Sequence, residues 1–217
     1  IEIPLSELKI NHHSRIMLLG SCFAQNIGQY LLQGKFDVNV NPFGILYNPA
    51  SIATVLKRIT DATPISEEEL WENNGLFGSF LYHGSCSKPS KEATLSVMND
   101  SLKKASEDLR NIDTLIITFG TAYIYKLKES GTIVANCHKF PDSMFQRERL
   151  SVESATKTWI TLIEKLKTIN PKLNILFTVS PIRHWKGGAH NNQLSKASLL
   201  LSIDALLSQS ANLHYFP

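Results

Sequence analysis

A hydroxyl and a thiol stand side by side at Ser21-Cys22, within the run Gly20-Ser21-Cys22-Phe23-Ala24. Either group attacks a carbonyl once a base removes its proton. The apolar stretch Arg15 to Leu19 precedes the pair, and Gln25 to Leu32 has helical character. This order predicts strand, tight turn and helix. In an open α/β sheet, ligands bind at the carboxyl ends of the strands. A helix N-terminus at that place also favours a thiolate or a developing oxyanion. The same residues fit a turn that uses glycine and serine only for their small size.

Two other predicted strand ends carry polar groups, Gly120-Thr121-Ala122 and Ser180-Pro181-Ile182-Arg183-His184. In a parallel sheet all three ends emerge on one edge. A nucleophile, small backbone donors and a base would then converge from distant parts of the chain. The loop Asn41-Pro42-Phe43-Gly44 follows another strand to that edge, where the N–H of Gly44 can approach a substrate oxygen. His184 is a candidate base. Arg183 is a candidate for binding a substrate carboxylate or phosphate, with a structural ion pair as its alternative. His138, beside Cys137, and His83, near Cys86, are candidate substrate-binding groups on the rim. Trp159 is expected in the core, and Trp185 is expected to wall a pocket beside His184.

These residues need a scaffold, and the hydrophobic pattern supplies one. Apolar runs at Arg15–Leu19, Asp37–Val40, Thr114–Phe119, Asn174–Val179 and His214–Phe216 read as strands. Between them lie helical patterns after Asn48, from Ser90 to Ile112, after Ser151 and from Gln193 to Ser208. Glu67–Leu70 reads as the start of a short helix, and Gly75–His83 as a hairpin or an active-site loop. Tyr123–Val134 reads as a hairpin around Lys128-Glu129-Ser130-Gly131. This alternation predicts an α/β fold, a three-layer α/β/α sandwich with a mainly parallel sheet and a small β-hairpin insertion. A single domain is expected over 1–217. Pro217 follows directly on a strand, so the C-terminal strand or covering helix is expected to be missing.

Composition narrows the function classes. The net charge is +3 and the basic residues are dispersed, which argues against a nucleic-acid partner. No stretch is long and apolar enough to span a membrane. Cys22, Cys86 and Cys137 form an odd set without metal-ligand spacing, which points away from a disulfide framework and toward a reducing compartment. A cytoplasmic location is expected, although a chain starting at Ile1 leaves room for an upstream leader. No glycine-rich dinucleotide or phosphate loop follows a strand, so no cofactor is expected.

The Gly-Ser-Cys-Phe-Ala segment resembles the naming motif of the GSCFA family, which is related to the SGNH/GDSL hydrolases. The resemblance extends to Asn41–Pro49, Phe119–Ala122, Asn136–Lys139 and Ser180–His184. It implies a flavodoxin-like sheet and hydrolysis of acyl esters, of a small molecule or a carbohydrate, with acyl transfer using the same parts. It places Cys22 at the nucleophile position, leaves Ser21 as its rival, and puts Gly44 and Gly120 at the oxyanion hole. Ala122 stands where the superfamily has an asparagine donor. No Asp-x-x-His occurs in the chain, so the base is expected either beyond Pro217, the preferred reading, or at His184 or His138. A binding protein that keeps the fold without catalysis is the alternative.

Overall fold

The computed structural model describes residues 8–217. Its elements are β1 (Arg15–Gly20), α1 (Cys22–Gln33), β2 (Asp37–Val40), α2 (Pro49–Asp61), β3 (Leu70–Asn73), β4 (Leu76–Ser79), α3 (Lys91–Leu109) and β5 (Thr114–Phe119). There follow β6 (Tyr123–Leu127), β7 (Ile133–Val134), β8 (Phe145–Arg149), α4 (Val152–Ile169), β9 (Asn174–Val179), α5 (Gly188–Leu207) and β10 (Leu213–Phe216).

Five strands pair in parallel in the order β10-β9-β5-β1-β2. Taken in chain sequence, these main-sheet strands lie 2-1-3-4-5, the flavodoxin-like arrangement. Strand residues alternate between two cores, as the pleat requires. Met17, Leu19, Leu115, Ile117, Phe119, Ile175 and Phe177 pack with the apolar stripes of α2, α3, α4 and α5. Ile16, Leu18 and Ile116 turn to the opposite face, where Ala24 and Leu31 of α1 meet them. Both faces are therefore covered, which makes three layers. Every residue of β5 is buried, the continuous burial expected of a central parallel strand.

Helix starts follow their caps. Asn48 Oδ1 accepts the N–H of Ser51, with Pro49 in the first turn of α2. Ser90 and Ser151 cap α3 and α4 in the same way, each contact contributing about 1 kcal/mol. Trp159 sits in the core as expected. It makes edge contacts with Phe119 and Phe177 at 5.3 and 5.5 Å, and its indole N–H reaches the carbonyl of Pro49.

Two expectations are corrected. In the segment Glu67–Leu70, Glu67–Glu69 form a single 3-10 turn and Leu70 already begins β3, which pairs with β4. Asn74-Gly75 joins the two strands with φ of 51° and 72°. Positive φ at both positions is what a tight two-residue hairpin turn demands. The second correction is β8, a third strand added to the β6–β7 hairpin, which pairs antiparallel with β6. Its sequence, Phe-Gln-Arg-Glu-Arg, has one apolar residue and declares itself only through that pairing.

Candidate active site

Main-sheet order reverses between β1 and β5, so the crevice above their carboxyl ends is the topological switch point where ligands bind. Backbone contacts fix its floor. Gly20 ends β1 at φ +149°, and a Cβ there would lie 2.3 Å from the carbonyl oxygen of Thr118. Only glycine lets β1 pass β5 at that distance. The loop 41–48 is then laced to both strands. Gly20 N–H donates to Asn41 Oδ1 and Leu46 N–H to the Gly20 carbonyl. The N–H groups of Gly120 and Thr121 both donate to the carbonyl of Tyr47, at 2.7 and 2.9 Å.

Ser21 and Cys22 separate at this turn. Ser21 is 1 % exposed, and its Oγ accepts the N–H of Phe23 as the cap of α1. Cys22 is the first residue of α1 and lines a cavity of about 470 Å³. Among the described residues its backbone N–H has no acceptor, as expected in a first helical turn. Tyr47, Asn48 and Thr121 continue the floor, and Tyr123, Tyr125, Val134 and Arg147 of the small antiparallel sheet form a wall. The loops carrying Asn136, Cys137 and Asp142, and His184 and Lys186, close the rest.

His184 therefore shares the cavity with Cys22. Its backbone N–H donates to Asn192 Oδ1, and its ring meets Tyr47 edge-on at 6.1 Å. Burial first, then the charge of Lys196, lowers its pKa below the ordinary histidine value. Lys196 comes from α5 and donates to the carbonyls of Gly120 and Ser180, tying the ends of β5 and β9 together. Burial brings Lys196 down to about 8. The Tyr47 phenol is pushed up by burial and then by Cys22, so it stays protonated as a donor. Among the described residues no carboxylate lies within ion-pair distance of His184.

The other expected residues lie outside the lining of this cavity. Gly44 has φ +76° and gives its N–H to the Asn41 carbonyl within its own turn, with His83 packed where a Cβ would go. Gly120 spends its N–H on Tyr47, and Ala122 is buried with its N–H on Ser195 Oγ. Arg183 and Trp185 are exposed, Trp185 to 60 %. His83 caps a short 3-10 turn through Ser85.

His138 packs its ring 4.5 Å from Trp71 and bonds the carbonyl of Ser79 through Nε2. Burial, against that hydrogen bond, pulls it down to about 4. Its unfolded value is 6.5, so between those pH values the unfolded chain binds a proton that the folded chain refuses. Stability then falls as pH drops from 6.5 toward 4, by an amount on the order of 2 kcal/mol once solvent screening of the partly exposed ring is allowed for. Chemical denaturation across that range, with His138→Gln as the comparison, checks this: the variant should show a flatter pH dependence.

Sequence reasoning does not single out Tyr47, Tyr123, Tyr125, Arg147, Lys186 or Lys196. Tyr47 lies in plain view inside the Asn41–Pro49 segment; the others reach the site from β6, β8, the loop after β9 and α5. Among the described residues no group of three or more histidine, cysteine or acidic side chains converges as metal ligands, and no helix is long and apolar enough to cross a membrane.

Fold and cavity together define a doubly wound α/β protein of flavodoxin-like order with a thiol and an imidazole at its switch point. The chain belongs to the GSCFA family, whose model matches residues 15–217. No curated protein and no solved structure matches it significantly.

Proposed function

We propose that the protein is a hydrolase of acyl esters, related to the SGNH/GDSL enzymes, in which Cys22 is the nucleophile and His184 the general base. One observation carries this reading. Cys22 and His184 line one cavity at the switch point, while the hydroxyl of Ser21 is buried in a helix cap.

His184 rests as the neutral imidazole, the form able to accept a proton. It takes the Cys22 proton as sulfur adds to the ester carbonyl. The oxyanion is met by the Cys22 backbone N–H, fixed at the start of its helix, and by the Tyr47 hydroxyl of the same cavity. Collapse of the intermediate breaks the C–O bond, and the imidazolium returns its proton to the departing alcohol. Water, deprotonated by His184, then attacks the acyl-thioester; the C–S bond breaks, the carboxylic acid leaves, and the imidazolium returns its proton to the Cys22 thiolate. An acceptor alcohol in place of water would make the same steps an acyl transfer.

The absence of a carboxylate behind His184 among the described residues favours one rival, a binding protein that keeps the cavity. An ester panel decides between them. Acetyl, butyryl and longer activated esters, with acetylated sugars, should include at least one that is turned over with burst kinetics, leaving an acyl group on the peptide that contains Cys22. No turnover of any ester, with no adduct by mass spectrometry, would overturn the hydrolase reading.

A further inference from the structure

The wall that the small antiparallel sheet contributes to the cavity of Cys22 carries a cation that the described residues leave without an acidic partner. Side chains alternate along β8. Glu148, on the face turned from the cavity, forms an ion pair with Lys126 of β6. Arg147, on the cavity face, has no carboxylate within 4.0 Å among the described residues. Its guanidinium lies over the ring of Tyr123, with Cζ 3.6 Å from the ring centroid. Register places Tyr125 directly across from it. Stacking holds the guanidinium plane and leaves its N–H edge free for a planar anion. Nη2 lies 3.6 Å from where a Cβ of Gly187 would stand, so that edge borders the loop that begins at His184.

The surrounding charge does not cancel that of Arg147. Among the described residues Asp142 is the only carboxylate lining the cavity, and Lys186 holds it at 3.4 Å. Lys186 also stands 5.6 Å from the Tyr125 ring. Arg147 thus adds a positive charge to a cavity whose one lining acid is already answered by a lysine.

We infer that the cavity takes a ligand bearing a carboxylate or a similar anionic group, which Arg147 holds by its N–H edge while the ester lies at Cys22. As a statement about the substrate, this rests on the hydrolase reading above. The anionic group can sit in the acyl chain or in the alcohol, and the test separates the two.

Binding and turnover are measured independently. Acetanilide, 4-acetamidobenzoate and succinanilic acid are amide counterparts of phenyl acetate, 4-acetoxybenzoate and monophenyl succinate. Calorimetric titration of the full chain should show at least one anionic amide binding about tenfold more tightly than acetanilide, the size expected of one charge-assisted contact. The preferred anionic amide tells which side of the ester carries the charge. In Arg147→Gln the ratio of anionic to neutral affinity should collapse to about one, and in Arg147→Lys it should be intermediate, because lysine keeps the charge without the stacked fork. Equal affinities in the unaltered protein, or an equal loss for all three ligands in Arg147→Gln, would overturn the inference. The kcat/KM values of the three esters test the underlying reading. If no ester is turned over but the amide preference and its loss persist, the anion site stands and the hydrolase reading falls. Turnover with no preference for either anionic ester or amide has the opposite meaning: the hydrolase reading stands and the anion site falls.

Discussion

Cys22→Ala should lower ester turnover by at least roughly a thousandfold, because it removes the atom that forms the covalent bond. Ser21→Ala should keep turnover within about fivefold and instead lose about 1 kcal/mol of stability, the usual result of deleting a helix cap. The contrast follows from geometry. Ser21 Oγ is committed to the N–H of Phe23 and buried, whereas Cys22 opens on the cavity. Steady-state rates on an activated ester and denaturant midpoints for both variants check the pair. Loss of turnover in Ser21→Ala with full retention in Cys22→Ala would move the nucleophile to the serine. Cys22→Ser is a harder test of the thiol. It preserves size but needs a stronger base, so it should also be severely impaired.

His184→Gln should lower kcat/KM by roughly a hundredfold to ten-thousandfold, the range of a positioned general base. The pH profile gives the more specific result. Burial and the charge of Lys196 both oppose the imidazolium, so the acid limb should have its midpoint below 6.5. Activity is then retained on acidification past the point where an ordinary histidine would be half protonated, and it is lost only below that. Lys196→Met removes the opposing charge, so the His184 pKa rises and the acid limb moves to higher pH. Lys196 also bonds the carbonyls of Gly120 and Ser180, so this variant will lose stability as well. Loosening that relieves burial would move the limb the same way, so Lys196→Arg is the control: it keeps the charge and should leave the limb in place. An acid limb and a kcat/KM that both persist unchanged in His184→Gln would remove His184 from the role of base.

Much of the scaffold is legible in the sequence because its signals are local. Apolar runs mark all five main-sheet strands, and the caps at Asn48 and Ser151 sit where their side-chain chemistry places them. The segments that mislead are those in which distant contacts overrule local pattern. Three glutamates at 67–69 favour a helical turn, yet Trp71 packs against His138 and Phe140 and draws the chain into β3. The Asn74-Gly75 turn signal is present, but the acidic run just before it points the other way. Strand β8 has almost no signal of its own, since four of its five side chains are polar and its order comes from β6.

The candidate site divides along the same line. The placement of Cys22 at a strand end can be read from residue order, because an apolar strand, glycine and helix need only neighbours in the chain. Sequence alone likewise determined that Gly20-Ser21-Cys22, Gly120-Thr121 and His184 share one edge, once a parallel sheet is inferred. It did not determine how each group is spent. The hydroxyl of Ser21 and the N–H of Gly44 are spent within their own turns, but whether the N–H groups of Gly120 and Thr121 are consumed by the carbonyl of Tyr47 depends on distances of a few ångströms between separate segments. Tertiary structure decided these allocations. It also brought Arg147 from an inconspicuous edge strand onto Tyr123 and into the cavity. Hydrogen bonds and charge pairs act at contact range, so their partners are chosen by the packed chain and not by spacing along it.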